Sequence, residues 1–466
     1  MSSLRTRSHH RRISDHYQAF GFAVLALLLG AIGFAGAPAR AVLEVDVTRG
    51  YLEPLPVAIP DFAVPFPATT SEGALAEISR KLAEVVGEDL GRSGLFRAVD
   101  RSAFLEANPD PRRPVFARWN AIGAQALLTG QLVVRNDGNL QLEVRLWDVV
   151  AQTQMTGFRY VAPPRNWRRV AHLVADAVYE RLTGEKGYFD SQIVYVAETG
   201  PKTSPKKQLA IMDQDGANHR LLTSGRNNVI LPRFSPSQQE IVYLSLIEAE
   251  KRWRAFLYNL DSRKHETLGS FNSSTLAPRF SPEGNQMVLS IGNSGNVDVF
   301  LLDLPTRKTT RLTTDPSIDS SPSFSADGER IVFESDRSGS QQLYTMNVNG
   351  RDIRRISRGD GVYGTPVWSP RGDLIAFTKI RRGEFQIGVM RPDGTGERIL
   401  TTGAKDEGPT WSPNGRVLMF FRSKPFLSDG SGGDTSLWSV DLTGYNLRQI
   451  PTPFGASDPA WSPLID

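Results

Sequence analysis

Two hydrophobic periodicities divide this chain. Along "LQLEVRLW", Leu140, Leu142, Val144 and Leu146 fall on one side, with Gln141, Glu143 and Arg145 between them. That alternation predicts a strand with one buried face. The segment follows "ALLTGQLVVR" through Asn136-Asp137-Gly138-Asn139, so the two predict a hairpin. Leu75, Ile78, Leu82 and Val85 instead recur at helical spacing before a stop at Gly94, and Trp167, Val170, Val174, Val178 and Leu182 do so before Gly184. Strands interleaved with helices predict a mixed α+β domain over residues 42–187, with both helical stripes in its core. Its first residues, "VLEVDVTRG", alternate Leu43, Val45 and Val47 against Glu44, Asp46 and Thr48. Such a run at residues 42–50 is either an edge strand of its own sheet or a segment that adds itself to another protein's sheet edge.

From residue 188 to 466 the pattern becomes a repeat. "LPRFSP", "APRFSP", "SPSFSA", "TPVWSP", "GPTWSP" and "DPAWSP" place prolines at Pro232, Pro278, Pro322, Pro366, Pro409 and Pro459, spaced 46, 44, 44, 43 and 50 residues apart. That is the period of a four-stranded propeller blade. Proline cannot donate to a ladder and is expected at the start of its strand. The aromatic two positions on (Phe234, Phe280, Phe324, Trp368, Trp411, Trp461) is a large apolar plate suited to wedging between blades. The Pro and Gly that follow set a turn, with Ala326 replacing Pro in the third copy. Three strand-like runs, Ile193–Ala197, Gln208–Met212 and Arg220–Leu222, have no signature in front of them, and the last signature has no strands behind it. The fragments add up to one composite blade. The expectation is therefore an all-β six-bladed propeller, its ring closed when Ala460–Leu464 pairs into the blade begun at Ile193. An open array would leave two unprotected edges. The longest interval contains a Gly/Ser/Asp-rich insertion from Lys424 to Thr435, expected as a surface loop.

Charge changes the picture only at the amino terminus. The formal net charge is +4, but the first 41 residues hold five Arg and one Asp, and without them the balance is zero. No nucleic-acid partner is indicated. Residues 1–41 read as a signal peptide, with a basic start, the apolar run "FGFAVLALLLGAIGFAG", and Ala39 and Ala41 at small-x-small spacing for cleavage. The mature chain is then expected to begin at Val42, in the periplasm and not embedded in a membrane. The chain has no Cys, which leaves no disulfide and no lipid-anchoring Cys.

Candidate chemistry is sparse. Beyond the leader the histidines are His172, His219 and His265, without neighbours at metal-ligand spacing. No G-x-S-x-G occurs, and Gly359–Gly364 matches G-x-G-x-x-G without a helix pattern after it. No enzyme, cofactor or metal ion is expected. A propeller does offer a face around a central funnel. The residues just ahead of the signature prolines would ring its mouth: Asn228, Leu231, Ser274, Ala277, Ser320, Ser321, Tyr363, Thr365, Glu407, Gly408, Ser457 and Asp458. Their small polar character suits either a close protein contact or simple strand connection.

A leader, a small α+β domain and six such blades together resemble the TolB family, periplasmic propeller proteins of the Tol–Pal system. "EPLPVAIPDF", "RSGLFRAVDRSAF", "LTGEKGYFDSQIVYV" and the terminal "DPAWSP" carry the resemblance. It implies a non-enzymatic protein whose propeller binds the lipoprotein Pal and whose amino-terminal segment reaches TolA. It further implies a role in outer-membrane integrity and in invagination at cell division. Carried onto this chain, the Pal contact would include Ser274, Ala277, Ser320 and Ser321, with Leu231, Thr365, Glu407 and Asp458 on the same face. The family more typically has His where Ser274 stands. The TolA contact would be Val42, Leu43, Glu44, Val45, Asp46 and Val47. A scaffold for outer-membrane protein assembly, with other periplasmic or outer-membrane partners, is the competing expectation. Deleting Asp458–Asp466 is expected to lower the thermal midpoint sharply, since several backbone hydrogen bonds worth about 1 kcal/mol each would be lost; an unchanged midpoint counts against a ring.

Overall fold

The computed structural model describes residues 43–45, 53–106, 109–201, 204–269, 273–293, 295–402, 405–425 and 433–465. The expected signal peptide with Ala39 and Ala41, together with Val42, Asp46 and Val47, lies outside them, as does the middle of the Lys424–Thr435 insertion. The amino-terminal sheet is built from β1 (Leu55–Ala58), β2 (Phe96–Ala98), β3 (Ala126–Val134), β4 (Leu140–Asp148) and β5 (Thr153–Ala162), in the order β2-β1-β3-β4-β5. β1 runs parallel to both neighbours, and β3 to β5 form an antiparallel meander. Leu140, Leu142, Val144 and Leu146 are buried, as alternation requires. The helices are α1 (Leu75–Arg92), α2 (Phe116–Ala121) and α3 (Trp167–Thr183).

The apolar stripes of α1 and α3 are buried, and their boundaries follow local chemistry. α1 gives way at Gly94 (φ 75°), and α3 ends on Gly184 (φ 72°), whose N–H returns to Glu180 O. A left-handed residue there is the ordinary helix stop. Val45 N–H donates to Leu182 O at 2.8 Å. Leu43–Val45 are in no strand, with Val45 N–H on an orphan carbonyl at the end of α3, and the rest of the 42–50 run lies outside the described residues.

A β-propeller arrangement of antiparallel sheets follows. There are four four-stranded sheets and one eight-stranded sheet. The latter contains two ladders, Val362–Ile399 and Lys405–Ile450, linked by a single parallel pair, Phe385↔Lys405. In the first sheet the order is Arg220–Leu221, Lys206–Asp213, Gln192–Thr199, Gly455–Trp461. The chain's last strand therefore pairs with the first strand of the repeat region, with Ala460 opposite Val194 and Trp461 opposite Ile193. That strand is Gly455–Trp461 rather than Ala460–Leu464. Beyond Trp461, Pro463 has no N–H to offer a ladder, although Ser462 N–H still reaches Gln192 O at 2.8 Å and Ile465 N–H reaches Asp190 O at 3.1 Å.

The prolines are also placed differently from the expectation. Each signature proline sits inside its strand, at a register shift that recurs in all six copies: Ile230/Arg233, Leu276/Arg279, Ser320/Ser323, Gly364/Val367, Glu407/Thr410 and Ser457/Ala460. A bulge leaves one residue unpaired, so it accommodates a missing N–H as well as a strand start does. The aromatics behave as wedges. Phe324 packs among Val288 and Val299 of one sheet and Ile331 and Phe333 of the next, while Trp411 bridges Val367, Ile387 and Val389 to Leu418 and Phe420. Trp461, on the terminal strand, instead packs on the connecting segment, with its indole N–H on Ser191 Oγ (2.7 Å) and its ring edge-on to Tyr188.

The amino-terminal domain meets this array through buried polar groups. Asp176 of α3 accepts Phe189 N–H (2.7 Å) and Asp190 N–H (3.0 Å), fixing the connecting segment. Gly187 makes this possible, because a Cβ there would lie 2.1 Å from the Asp176 carboxylate. Asp89 of α1, fully buried, accepts from His172 Nδ1 (2.6 Å) and from the Gln214 amide (2.8 Å). Asp213 stands 3.9 Å from His172 Nε2, too far for a hydrogen bond, while Arg168 and Arg92 both reach Asp215. Burial opposes a charge on His172, but Asp89 and Asp213 outweigh it and lift the imidazole to about 9. A raised folded value means that the stabilisation is fully present below the unfolded pKa near 6.5 and fades as pH rises through 9. Unfolding free energies from denaturant titrations should fall by about 3 kcal/mol between pH 6 and pH 10. His172→Gln should flatten that slope, and an equally steep slope in the variant would remove His172 as its source.

Candidate functional site

The residues expected around the funnel mouth prove to be a repeated backbone feature rather than loops. Leu231, Ala277, Ser321, Thr365 and Asp458 each directly precede a signature proline, and their φ angles are 51°, 45°, 52°, 48° and 49°. The sixth position is Gly408, at 66°. A residue before proline is normally driven to extended geometry, and a β-branched residue such as Thr365 seldom enters the left-handed region at all. Five side-chain-bearing residues therefore hold strain of roughly 1–3 kcal/mol each. Each carries that strain at the bulge of its own signature strand.

The strained backbone is held across neighbouring repeats. Thr365 N–H donates to Glu334 (2.7 Å), whose other carboxylate oxygen accepts the hydroxyls of Ser320 (2.6 Å) and Ser321 (3.0 Å). Thr365 Oγ1 meets Thr378 Oγ1 at 2.7 Å, and Thr378 Oγ1 in turn accepts Gly408 N–H at 3.3 Å. Leu231 N–H donates to Asp458 at 3.3 Å, joining the first and last signatures. Ser457, beside Asp458, donates its hydroxyl to Glu198 at 2.9 Å. Ser320, Ser321, Thr365, Asp458 and Leu231 are thus tied into the rim by side-chain or backbone bonds. Ala277 shares the geometry through strand register alone, and Ser274 lies just before its strand, where its carbonyl accepts Gly292 N–H at 3.1 Å.

The rim is more acidic than its small residues suggested. Burial raises the Glu407 carboxyl, and neighbouring Asp458 adds to the effect; Asp458 is itself raised by burial, against the pull of Arg233. Glu334, Glu407 and Asp458 form no ion pair among the described residues. By contrast, buried Asp319 and Asp406, three positions ahead of their prolines, are neutralised by Arg337 (2.7 Å) and Arg422 (2.6 Å). Glu334, Thr378 and Glu198 escaped the sequence reading because they sit on second strands, outside the signature. Nothing in their local pattern separates them from other strand residues.

Away from the rim, His172 comes together with Asp89 and Asp215, close enough for one ion to touch all three. Their atoms are engaged otherwise, His172 on Asp89 and Asp215 on two guanidiniums, so the group serves as a charge-paired junction. The Gly359–Gly364 stretch leads straight into the strand Val362–Trp368, where Tyr363 is buried and donates its hydroxyl to Glu397 (2.9 Å).

Comparison with known proteins places this architecture. Residues 43–155 match the family described as the TolB amino-terminal domain, and residues 179–465 match the TolB beta propeller domain. The Tol-Pal system protein TolB of Paramagnetospirillum magneticum is 58% identical over 448 residues, covering 95% of this chain and 97% of that protein. Among solved structures, TolB from Acinetobacter baumannii superposes with a TM-score of 0.76 at 27% identity, covering 91% of this chain and all of that one.

The rim geometry makes a paired prediction. Ala277→Gly should stabilise the protein by about 0.5–1 kcal/mol, because relief of the positive φ exceeds the entropy that glycine adds to the unfolded chain. Gly408→Ala should destabilise it by about 1 kcal/mol or more, helped by a Cβ contact of 3.1 Å with Phe421. Chemical denaturation of both variants is the measurement, and a destabilised Ala277→Gly together with an undiminished Gly408→Ala would show that these positions are unstrained.

Proposed function

The chain belongs to the TolB family, and from that premise we propose that it is a non-enzymatic periplasmic member of the Tol–Pal system that works by holding two protein partners. Its propeller would bind Pal through the rim, and Val42–Val47 would bind TolA by adding a strand to TolA's sheet. The role that follows is support of outer-membrane integrity and of invagination during division. The eight-stranded sheet divides at its single parallel pair into two four-stranded units. With the other four sheets that would make six blades, and the ladder between Gly455–Trp461 and Gln192–Thr199 would close the ring. Signal cleavage between Ala41 and Val42 would leave residues 42–187 as the amino-terminal domain and 188–466 as the propeller.

The observation that carries the Pal reading is the strained rim. Strain kept at equivalent positions in successive repeats is a cost the fold has no need of, and such strain concentrates where a surface is shaped for recognition. Glu407, half-buried and in no ion pair among the described residues, further favours a partner face that offers N–H donors or a cation. Ser274, Ala277, Ser320 and Ser321 would lie at the centre of that contact, with Leu231 and Thr365 beside them. For TolA, the supporting feature is the alternation of Leu43 and Val45 with Glu44 and Asp46 in a segment that forms no strand in residues 43–45.

A pull-down with the mature chain is expected to recover Pal and TolA. Ala277→Lys and Ser321→Lys should each weaken Pal binding by about 30-fold or more, as bulk and like charge introduced at an interface centre do. Both variants should keep TolA, and removing residues 42–47 should do the reverse. Undiminished Pal binding in both rim variants overturns the site, and recovery of an outer-membrane assembly complex in place of Pal overturns the partner.

A further inference from the structure

On the far side of the signature prolines from the rim positions lies a cavity of about 600 Å³, lined by residues that follow the prolines. The position directly after the proline is Ser323, Val367, Thr410 or Ala460 in four copies, but Arg233 and Arg279 in the first two. Neighbouring sheets therefore send two guanidiniums toward one space, and Lys186 lines the same cavity. Arg279 has no side-chain hydrogen bond or ion pair among the described residues. Arg233 donates to the carbonyl of its neighbour Pro232 at 2.6 Å, and Asp458 acts on it only at a distance. Burial pulls Arg233 down to about 10, and it also pulls Arg279 well down, with the charge of Arg233 adding to the effect. A guanidinium nevertheless stays protonated. The cavity thus holds two half-buried cations, neither in an ion pair among the described residues, with Asp458 only partly offsetting the cost for Arg233.

We propose that this cavity is a binding site for a phosphate-class oxyanion held between Arg233 and Arg279. Each guanidinium presents a planar fork that matches two oxygens of one anion. A tetrahedral phosphate has oxygens for two forks arriving from adjacent sheets, whereas a carboxylate satisfies one. Ser323 and Thr410 add hydroxyls to the same lining, and the volume admits the anion with part of its hydration. The charge would be worth more in this confined space than on an open surface. The cavity lining follows the prolines and the rim residues precede them, so the site does not rest on the partner-binding reading, although Arg233 feels the charge of Asp458.

Titration calorimetry on the mature chain, with inorganic phosphate and glycerol 3-phosphate in separate arms at matched ionic strength, tests the proposal. At least one probe should bind with a dissociation constant at or below about 1 mM. Arg279→Gln should weaken binding about tenfold or more, while the exposed-site control Lys264→Gln leaves it unchanged. Arg279→Lys keeps the charge and loses the fork, so it should bind several-fold more weakly than the native chain and serves if the Gln variant does not fold. The stronger arm identifies free phosphate or a phosphate monoester as the occupant. Absence of binding by both probes at about 10 mM, or equal binding by the native chain and both Arg279 variants, would overturn the site.

Discussion

The ladder between Gly455–Trp461 and Gln192–Thr199 is the constraint on which the rest depends. It joins residues about 270 positions apart in the chain, and closing a loop of that length costs on the order of 5 kcal/mol in chain entropy. No local propensity supplies that. What offsets it is the burial that follows: Trp461 lies against Tyr188, Ala460 joins the cluster of Val194, Leu209 and Val229, and the edge strand that would otherwise stand open is covered. The same pairing brings Asp458 to Leu231, so the first and last signatures share a hydrogen bond. Without the ladder, the rim would lack one of its neighbours.

A second dependence runs through the junction. Asp89, His172, Gln214 and Asp215 come from α1, α3 and the turn after Lys206–Asp213. Buried charges of this kind add little net stability, but each is costly to leave unpaired. The arrangement therefore works as a register device. α1 and α3 can dock on the first sheet in only one way that satisfies Asp89, and Gly187 lets the connecting backbone close against Asp176. A segment leaving the amino-terminal domain near Leu182 is consequently tied to the same elements that meet the propeller.

The rim shows how a repeat can be put to use. A bulge with a left-handed residue before proline is unfavourable at a single site, and it persists here because neighbouring repeats hold it with Glu334, Thr378 and Asp458. The signature aromatics keep adjacent sheets together two residues further on, so the strained positions stand on rigid supports. The result is a set of strained positions held in place by hydrogen bonds from neighbouring repeats.

Much of this was legible in the residues themselves. Period-2 and helical stripes marked β4, α1 and α3, Gly94 and Gly184 marked the helix ends, and six signatures in register marked the repeat, because each reports local backbone geometry. Even the unmatched fragments at Ile193 and Asp458 pointed to each other, since a strand without partners is incomplete. The tertiary structure decided what depends on residues distant in sequence. It set the prolines in bulges instead of strand starts, moved the last strand back to Gly455–Trp461, brought His172 to acids from two other elements, and added Glu334 to the rim. Local pattern determines which face of a segment is buried; only the closed packing of distant segments determines which buried charge meets which, and where the backbone must bend to allow it.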